Sequence, residues 1–451
     1  MKNLLWWSRN WEFKLGIAIA AYFLLQYFVL DSLQHHDAEL ASHLRVIPPA
    51  YLDQWQHINP VQPGSKVAYV QYATTYGHIN LAVINGIELR KAGTVADVVV
   101  VFDQRLRHFN HEQWNRLLTL ARDHSITLKP VDTIRADVAE DVWQNLFTKL
   151  YAFNMTEYDR VVYFDGDSML MKGHLDELFS IPEEIEFALP HAYWHNHVLE
   201  KYHEKEGLGH EPSRPNVDIP VLADYIRKTT DRAQLLKGTD ADWNLLPPLF
   251  YDDNKYGNRL DFFGTHIMVI TPNTKRFNDL LRYVSTPWWW KFTKPELSHK
   301  RNEYDMEVIN KYMDQQLRHG ADFKMAILPH TVYGVLTGEF LEEYHRRFVV
   351  PPQYTPFITK ELNEEWDATD ALMNVKLIHF SDAPIPKPWE TYNDQMPYNT
   401  KRTFCMFDYD EAEFNSKYPV FKPRITDDCE SVEAWEGIRE RFSKQMTNWV
   451  V

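Results

Sequence analysis

Two carboxylates, Asp165 and Asp167, stand one Gly apart directly after the apolar run at 160–164. The run predicts a buried strand, and ligands of open α/β sheets bind outside the carboxyl ends of the strands. Two carboxylates are costly there unless a cation neutralises them, and a hard divalent cation also bridges to phosphate oxygens. The acidic turn therefore indicates a metal site for a phosphorylated ligand. The same triplet also occurs as a turn that ends a strand and caps a helix.

Two chemistries use such a turn. In one, the metal holds the pyrophosphate of a nucleotide sugar. In the other, Asp165 is a phosphate-accepting nucleophile, as in the haloacid-dehalogenase-like phosphatases. That second family places its motif on the first strand and follows it with Gly-Thr. Here about one hundred residues of α/β pattern come first, and Ser168-Met169 follow. The pattern favours the nucleotide sugar, with the phosphohydrolase as the alternative.

The turn comes at the end of an alternating series of elements. Apolar runs predict strands, and segments with helical spacing lie between them. This alternation implies a mostly parallel sheet with right-handed crossovers and helices on both faces. The predicted strands are 66–73, 97–102, 126–130 and 160–164, and the predicted helices are 78–91, 112–124 and 139–151.

The second half of the chain is less regular. Residues 195–260 hold charge clusters and few apolar runs, which predicts an elaborated loop region. A strand is predicted over 266–270, a helix over 274–283 and a short strand over 376–380. After Trp389 the chain is aromatic without a clear period, and we expect an irregular wrap.

Several separated segments carry a resemblance to a known family. They are Tyr69-Val70-Gln71-Tyr72-Ala73-Thr74-Thr75, Lys149, Tyr158 to Asp167, Asp305-Met306-Glu307-Val308-Ile309-Asn310, His379-Phe380 and Lys387-Pro388-Trp389. Together they resemble glycosyltransferase family 8, the glycogenin-like retaining transferases. The resemblance covers roughly residues 64–390. Within the family, the combination of an N-terminal membrane anchor, argued below, and a chain rich in aromatic residues looks most like the fungal Golgi N-acetylglucosaminyltransferases.

The resemblance implies a GT-A-type, Rossmann-like α/β fold and sugar transfer from a UDP-sugar, GlcNAc favoured, to a glycan with retention of configuration. It implies Mn²⁺ or another divalent cation on Asp165, Asp167 and His379, since two carboxylates and an imidazole suit Mn²⁺. Asp305 is the matched candidate near the sugar. The implied donor-binding residues are Tyr72, Thr74, Thr75, Lys149, Asp165, Gly166, Asp167, His379 and Lys387.

Departures from the family pattern concern the sugar. Gly264-Thr265-His266 stands where the family has Asn-Ser/Ala-Gly, and Met306 replaces a Gln. The His-to-Lys interval is also two residues longer than usual. The donor sugar and the acceptor linkage are therefore open. A non-catalytic luminal sugar-binding protein is a further alternative, but it would not need all three metal-binding side chains.

The N-terminal segment indicates a membrane. An apolar run over 15–33 follows Lys2, Arg9 and Lys14 and precedes acidic residues, which predicts a single-pass type II anchor. We expect a cytoplasmic tail at 1–14, a stem at 34–62, a luminal catalytic domain at 63–390 and an extension at 391–451. The short anchor suits an early secretory membrane and the resemblance favours the Golgi, with the endoplasmic reticulum open.

Composition limits the partners and the redox chemistry. The chain has 451 residues and a net charge of −15, so nucleic acid is excluded as a partner. Its two cysteines, Cys405 and Cys429, form no Cys-x-x-Cys motif. They either close one disulfide in an oxidising compartment or remain buried thiols. A single glycosylation sequon begins at Asn154.

Overall fold

We describe a computed structural model of the chain. It describes residues 44–108, 110–136, 143–192, 246, 263–284, 304–319, 323–340, 367–380, 387–389 and 402–448. The predicted tail, the predicted anchor and all but one residue of the predicted loop region 195–260 lie outside these ranges. No helix among the described residues is both long and apolar enough to cross a membrane.

The strands are β1 (Leu44–Val46), β2 (Val67–Ala73), β3 (Asp97–Asp103), β4 (Ile126–Val131), β5 (Arg160–Phe164), β6 (Ser168–Leu170), β7 (Phe187–Leu189), β8 (Ile267–Ile270), β9 (Met325–Ile327), β10 (Leu377–His379), β11 (Thr403–Cys405) and β12 (Arg424–Thr426). Eight of them form the central sheet of the fold, in the order β1-β9-β7-β8-β5-β2-β3-β4. Strand β8 runs antiparallel to both its neighbours, and the other pairs of this sheet are parallel. This confirms the predicted mostly parallel α/β sheet.

Helices cover both faces of the sheet. The first two crossover helices begin at side-chain caps, because Thr75 accepts from the His78 amide and Asn110 from the Glu112 amide. The α-helices are α1 (Pro49–Ile58), α2 (Tyr76–Lys91), α3 (His111–Asp123), α4 (Thr274–Val284), α5 (Asp305–His319), α6 (Ala368–Asn374), α7 (Glu411–Lys417) and α8 (Cys429–Gln445). The predictions for α2, α3 and α4 are thereby confirmed.

The helix predicted over 139–151 differs from the structure. A 3₁₀ helix spans Leu146–Asn154 instead, and residues 137–142 lie outside the described ranges. Phe147, Leu150 and Phe153 are fully buried. Their spacing of three residues matches the three-residue turn of a 3₁₀ helix, so one face of it is apolar.

Alternate residues of the strands face opposite layers of the core. Val98 and Val100 pack in one apolar cluster with α2 and α3, and Val99 and Val101 pack in a second with α4 and α5. A strand buried on both faces needs an unbroken apolar run, which is why β3 contains four consecutive Val.

Part of the predicted stem lies in the folded unit. Strand β1 pairs in parallel with β9, and Tyr51, Leu52 and Trp55 of α1 are buried in the core. The polar residues between these apolar positions indicated a stem, although the three buried positions share one helical face.

The C-terminal extension is more regular than expected. It contains β11, α7, β12 and the 17-residue helix α8. Trp435, Ile438 and Phe442 of α8 are buried at helical spacing. A disulfide joins Cys405, at the end of β11, to Cys429, the first residue of α8. Of the two alternatives that the sequence allowed for these cysteines, the structure has the disulfide and not the buried thiols.

Candidate active site

Three side chains that could hold a metal converge at the carboxyl end of β5. Asp165 follows β5, Asp167 precedes β6, and His379 ends β10. Strand β10 pairs antiparallel with β6 and places His379 opposite Ser168. The Phe380 amide extends this pairing by donating to the Asp167 carbonyl at 2.9 Å. One ligand atom from each of the three side chains lies within 4.8 Å of the others.

Lys149 lies between two carboxylates. Its Nζ is 3.2 Å from Asp165 Oδ1 and 2.6 Å from Asp305 Oδ2, and the Lys149 side chain is 4% exposed. Burial disfavours the ammonium ion, but the two carboxylates outweigh burial and raise the pKa of Lys149 above its ordinary value. Lys149 is therefore a permanent cation beside the acidic turn.

Lys387 supplies a second cation. Its Nζ donates to Asp167 Oδ2 at 2.6 Å, and His379 Nδ1 lies 3.6 Å from Asp167 Oδ1. Burial opposes the charged form of Asp167, but His379 and Lys387 outweigh it and hold the pKa of this carboxyl below its usual range. Asp167 is thus an anion at neutral pH.

The pKa of Asp165 shifts in the opposite direction from that of Asp167. Burial raises the pKa of its carboxyl above the ordinary value, although Lys149 opposes this shift. The Tyr163 hydroxyl donates to Asp165 Oδ1, and the Asp165 amide donates to the His266 carbonyl at 2.8 Å. A second positive charge, such as a bound cation, would favour the ionised form of Asp165.

Asp305 begins α5 and is buried on the other side of Lys149. Thr265 Oγ1 donates to Asp305 Oδ2 at 3.3 Å. Five residues later in α5, the Asn310 side chain exchanges two hydrogen bonds with the backbone of Phe263, at 2.7 and 2.9 Å. Helix α5 therefore contacts the segment at Phe263 and Thr265, next to and within Gly264-Thr265-His266, where we expect a departure from the resembled family.

The predicted nucleoside-binding turn lies between β2 and α2. The Tyr72 ring is buried and stacked on Tyr163 at 6.4 Å. Burial, and then the charge of Asp165, raises the pKa of Tyr72 well above its ordinary value. Thr74 is half-buried, and Thr75 is exposed at the cap of α2.

Gly166 connects this turn to the acidic residues. Its carbonyl accepts from Asn85 Nδ2 of α2 at 3.1 Å. A Cβ at Gly166 would lie 3.6 Å from the His78 carbonyl and 3.8 Å from the Ala82 amide, which are ordinary contact distances. The protein atoms around Gly166 would therefore leave room for the methyl group of an alanine.

The sequence reasoning missed two residues of this site. Tyr163 lies in β5, two positions before Asp165. Side chains two positions apart along a strand lie on the same face, so the sequence itself indicated that Tyr163 and Asp165 are neighbours. The His266 ring stacks on His379 with ring centres 5.0 Å apart. Burial, followed by the charge of His379, lowers the pKa of His266 well below its ordinary value. Only the fold brings these two distant histidines together.

The arrangement fits a divalent cation next to a diphosphate. Two carboxylates and an imidazole form a donor set that suits Mn²⁺. The Lys149 and Lys387 ammonium groups lie on either side, where phosphate oxygens would find additional positive charge. Of the residues predicted for the site, the structure brings Lys149, Asp165, Asp167, Asp305, His379 and Lys387 together.

Comparison with known proteins finds similar chains in fungi. No family model matches the sequence. A curated protein of Candida albicans named glucose N-acetyltransferase 1 is 42% identical over 461 residues, covering 98% of this chain and 97% of its own. The protein of that name from Debaryomyces hansenii is 39% identical, covering 96% of both chains. The Saccharomyces cerevisiae protein is 26% identical, covering 81% of this chain and 79% of its own.

Two solved glycosyltransferase structures are more distantly similar. The bifunctional glycosyltransferase WbbM, in its apo form, has a TM-score of 0.39 and 17% identity, covering 74% of this chain and 48% of its own. The galactosyltransferase LgtC, in complex with donor and acceptor sugar analogs, has a TM-score of 0.37 and 13% identity, covering 71% of this chain and 89% of its own.

Proposed function

The chain belongs to the family of the fungal glucose N-acetyltransferase 1 proteins, and we propose that this glycosyltransferase moves N-acetylglucosamine from a UDP-sugar to a glycan hydroxyl. The observation that carries the proposal is the cluster of Asp165, Asp167 and His379, whose ligand atoms lie within 4.8 Å of one another. Lys149 and Lys387 flank that cluster.

The name shared by the relatives supports this choice of donor. Glucose has hydroxyl groups and no amine, so an N-acetyl group cannot be attached to glucose itself as an amide. Transfer of an N-acetylglucosamine unit is consistent with both the sugar and the N-acetyl group in the name of these relatives. It also uses the metal and diphosphate features of the site, which a direct acetyl transfer would leave without a role.

Asp165, Asp167 and His379 would hold Mn²⁺, which supplies Lewis-acid stabilisation of a leaving diphosphate when bound. The protein's own groups contribute positive charge around that leaving group. Lys387 would exchange its contact with Asp167 for a phosphate oxygen, and Lys149 would remain between Asp165 and Asp305 as a fixed cation.

Asp305 is the carboxylate we place against the sugar. It is buried, accepts from Thr265 and contacts Lys149, so its position is fixed before substrate arrives. A retaining reaction needs either a carboxylate nucleophile or attack on the same face assisted by the leaving phosphate. We assign to Asp305 the orientation and charge stabilisation of the sugar, without a covalent bond.

We propose that the catalytic domain works in the lumen of the Golgi, behind the predicted anchor. The disulfide between Cys405 and Cys429 supports an oxidising compartment, because such bonds are rare in the cytosol. The phosphohydrolase alternative needs Asp165 free to attack a phosphate. The Asp165 carboxylate instead accepts a hydrogen bond from Tyr163 and contacts Lys149, and these contacts disfavour its use as a nucleophile.

The test is turnover of UDP-GlcNAc by the purified full chain in detergent, with Mn²⁺ and a saccharide acceptor. We expect UDP release and a labelled glycan product, both lost in Asp167→Asn and with a chelator. Asp123→Asn is the control, since Asp123 is exposed on α3. Chelator-resistant transfer by Asp167→Asn would refute the metal assignment. Transfer of label from acetyl-coenzyme A, or hydrolysis of a phosphomonoester, would replace the proposed reaction.

A further inference from the structure

Helix α8 packs directly behind the strand that ends in His379. The Phe380 ring contacts Trp435 and Phe442 of α8, with ring centres 6.1 and 5.5 Å apart. Phe380 is covalently next to His379, and its amide donates to the Asp167 carbonyl at 2.9 Å. A displacement of Phe380 would therefore move two of the three side chains that could hold the metal.

The segment that carries Lys387 rests on the same helix. The Trp389 ring lies 5.8 Å from Phe442 and 5.6 Å from Phe380, and Lys387 Nζ lies 5.4 Å from the centre of the Trp389 ring. His379 and Lys387 thus each stand beside an aromatic ring that contacts Phe442. Phe442 is 2% exposed, which is typical of a side chain enclosed on all sides.

Strand β10, which ends in His379, is too short to be stable without packing against α8. Strands β10 and β6 have three residues each and form a separate two-stranded sheet. So short a pair is not stable by itself in water and depends on apolar packing against another element. Phe380, Trp435 and Phe442 share one apolar cluster, which supplies that packing.

The amino end of α8 is held in place. Cys429, its first residue, is bonded to Cys405, and the Asp428 side chain accepts from the Ser431 amide as a helix cap. Thr369 of α6 donates to Glu430 at 2.8 Å. The helix therefore presents Phe442 from a fixed position.

We infer that α8 is a positioning element of the metal and diphosphate site, and that Phe442 holds His379 and Lys387 in register through Phe380 and Trp389. The inference rests on the proposed function for the identity of the ligands. It makes a helix beyond the predicted catalytic domain a working part of that domain.

The experiment measures binding of Mn²⁺ alone by electron paramagnetic resonance, and of UDP with Mn²⁺ by calorimetry, on the full chain in detergent. We expect Phe442→Ala to weaken Mn²⁺ binding about tenfold, the lower range for residues that orient metal ligands. Phe442→Leu, which keeps most of the buried volume, should restore much of that affinity.

Phe414→Ala is the matched control. Phe414 is a buried Phe of the same extension, but it packs against Phe404, Tyr409 and Tyr418 rather than Phe380. It should lower the melting temperature while leaving Mn²⁺ binding unchanged. Equal losses in both alanine variants would show a merely structural role and overturn the inference.

Unchanged Mn²⁺ binding in folded Phe442→Ala would also overturn it, with the proposed function intact. If that variant does not fold, Phe442→Leu decides. We then expect folded Phe442→Leu to bind Mn²⁺ measurably more weakly than wild type, though by less than tenfold, and wild-type affinity would contradict the inference. A wild-type chain that binds no Mn²⁺ would instead remove the proposed function, and this inference with it.

Discussion

Lys149 and Asp305, 156 positions apart in the sequence, meet at 2.6 Å in the core below the acidic turn. The same ammonium group lies 3.2 Å from Asp165. Both members of the pair are nearly inaccessible to solvent, with 4% and 8% of their side chains exposed. One buried cation therefore compensates a predicted metal ligand and the carboxylate placed against the sugar.

Lys149→Met is expected to destabilise the fold as well as abolish transfer. It leaves two buried carboxylates without their cation, and removing one partner of a buried ion pair costs about 3–5 kcal/mol. Urea unfolding measures the loss. Lys129→Met is the control, because Lys129 and Glu157 form an exposed pair worth under about 1 kcal/mol. Similar losses in the two variants would contradict the assigned role of burial.

Sequence pattern alone predicted several of the elements that position the site, but not the 3₁₀ helix that contains Lys149 or strand β6. The start of α5 was indicated only by the family resemblance at 305–310. The apolar runs of β3 and β5 and the helical spacing of α2 and α3 agree with the local structure, because hydrophobic period is a local property of the sequence. The acidic turn by itself predicted a metal site at Asp165 and Asp167, and the family resemblance added His379 to it.

Contacts between distant segments account for what was missed. The stack of His266 on His379 depends on the register of β6 with β10 and on the position of β8, and no single window of sequence contains both. The aromatic C-terminal segment shows no clear period over its whole length, although Trp435, Ile438 and Phe442 have helical spacing. Their partners, Phe380 and Trp389, lie about fifty residues away in the sequence.

Asn310→Ala should loosen the segment that leads to Thr265 and His266. It leaves the Phe263 amide and carbonyl without their partner, and an unsatisfied buried group costs about 1–3 kcal/mol. We expect a higher KM for the donor together with this loss in urea unfolding. Asn374→Ala is the control, because Asn374 is exposed at the end of α6. Donor KM at the wild-type value would separate this segment from sugar binding.

Removal of the disulfide should lower the free energy of unfolding of the chain. Cys405 and Cys429 are 24 residues apart, and a cross-link of this length stabilises a fold by about 3 kcal/mol. Cys429→Ser, Cys405→Ser and the double variant should lose the same amount, since each removes one and the same bond. Wild-type protein unfolded in a reductant should match them. A double variant much less stable than either single one would point to another role for the thiols.

Asp103, at the carboxyl end of β3, should contribute stability that acid removes. Hydrogen bonds from Arg105 lower the pKa of Asp103 from its ordinary value near 3.8 to about 2. Because the folded pKa is depressed, the contribution is complete above the ordinary pKa and fades as pH falls toward 2. A shift of this size corresponds to about 1–2 kcal/mol once the exposure of Arg105 is allowed for. The unfolding free energies of wild type and Asp103→Asn should therefore differ most above pH 5 and converge between pH 4 and pH 2. A constant difference across that window would show that the carboxylate charge is not what Arg105 stabilises.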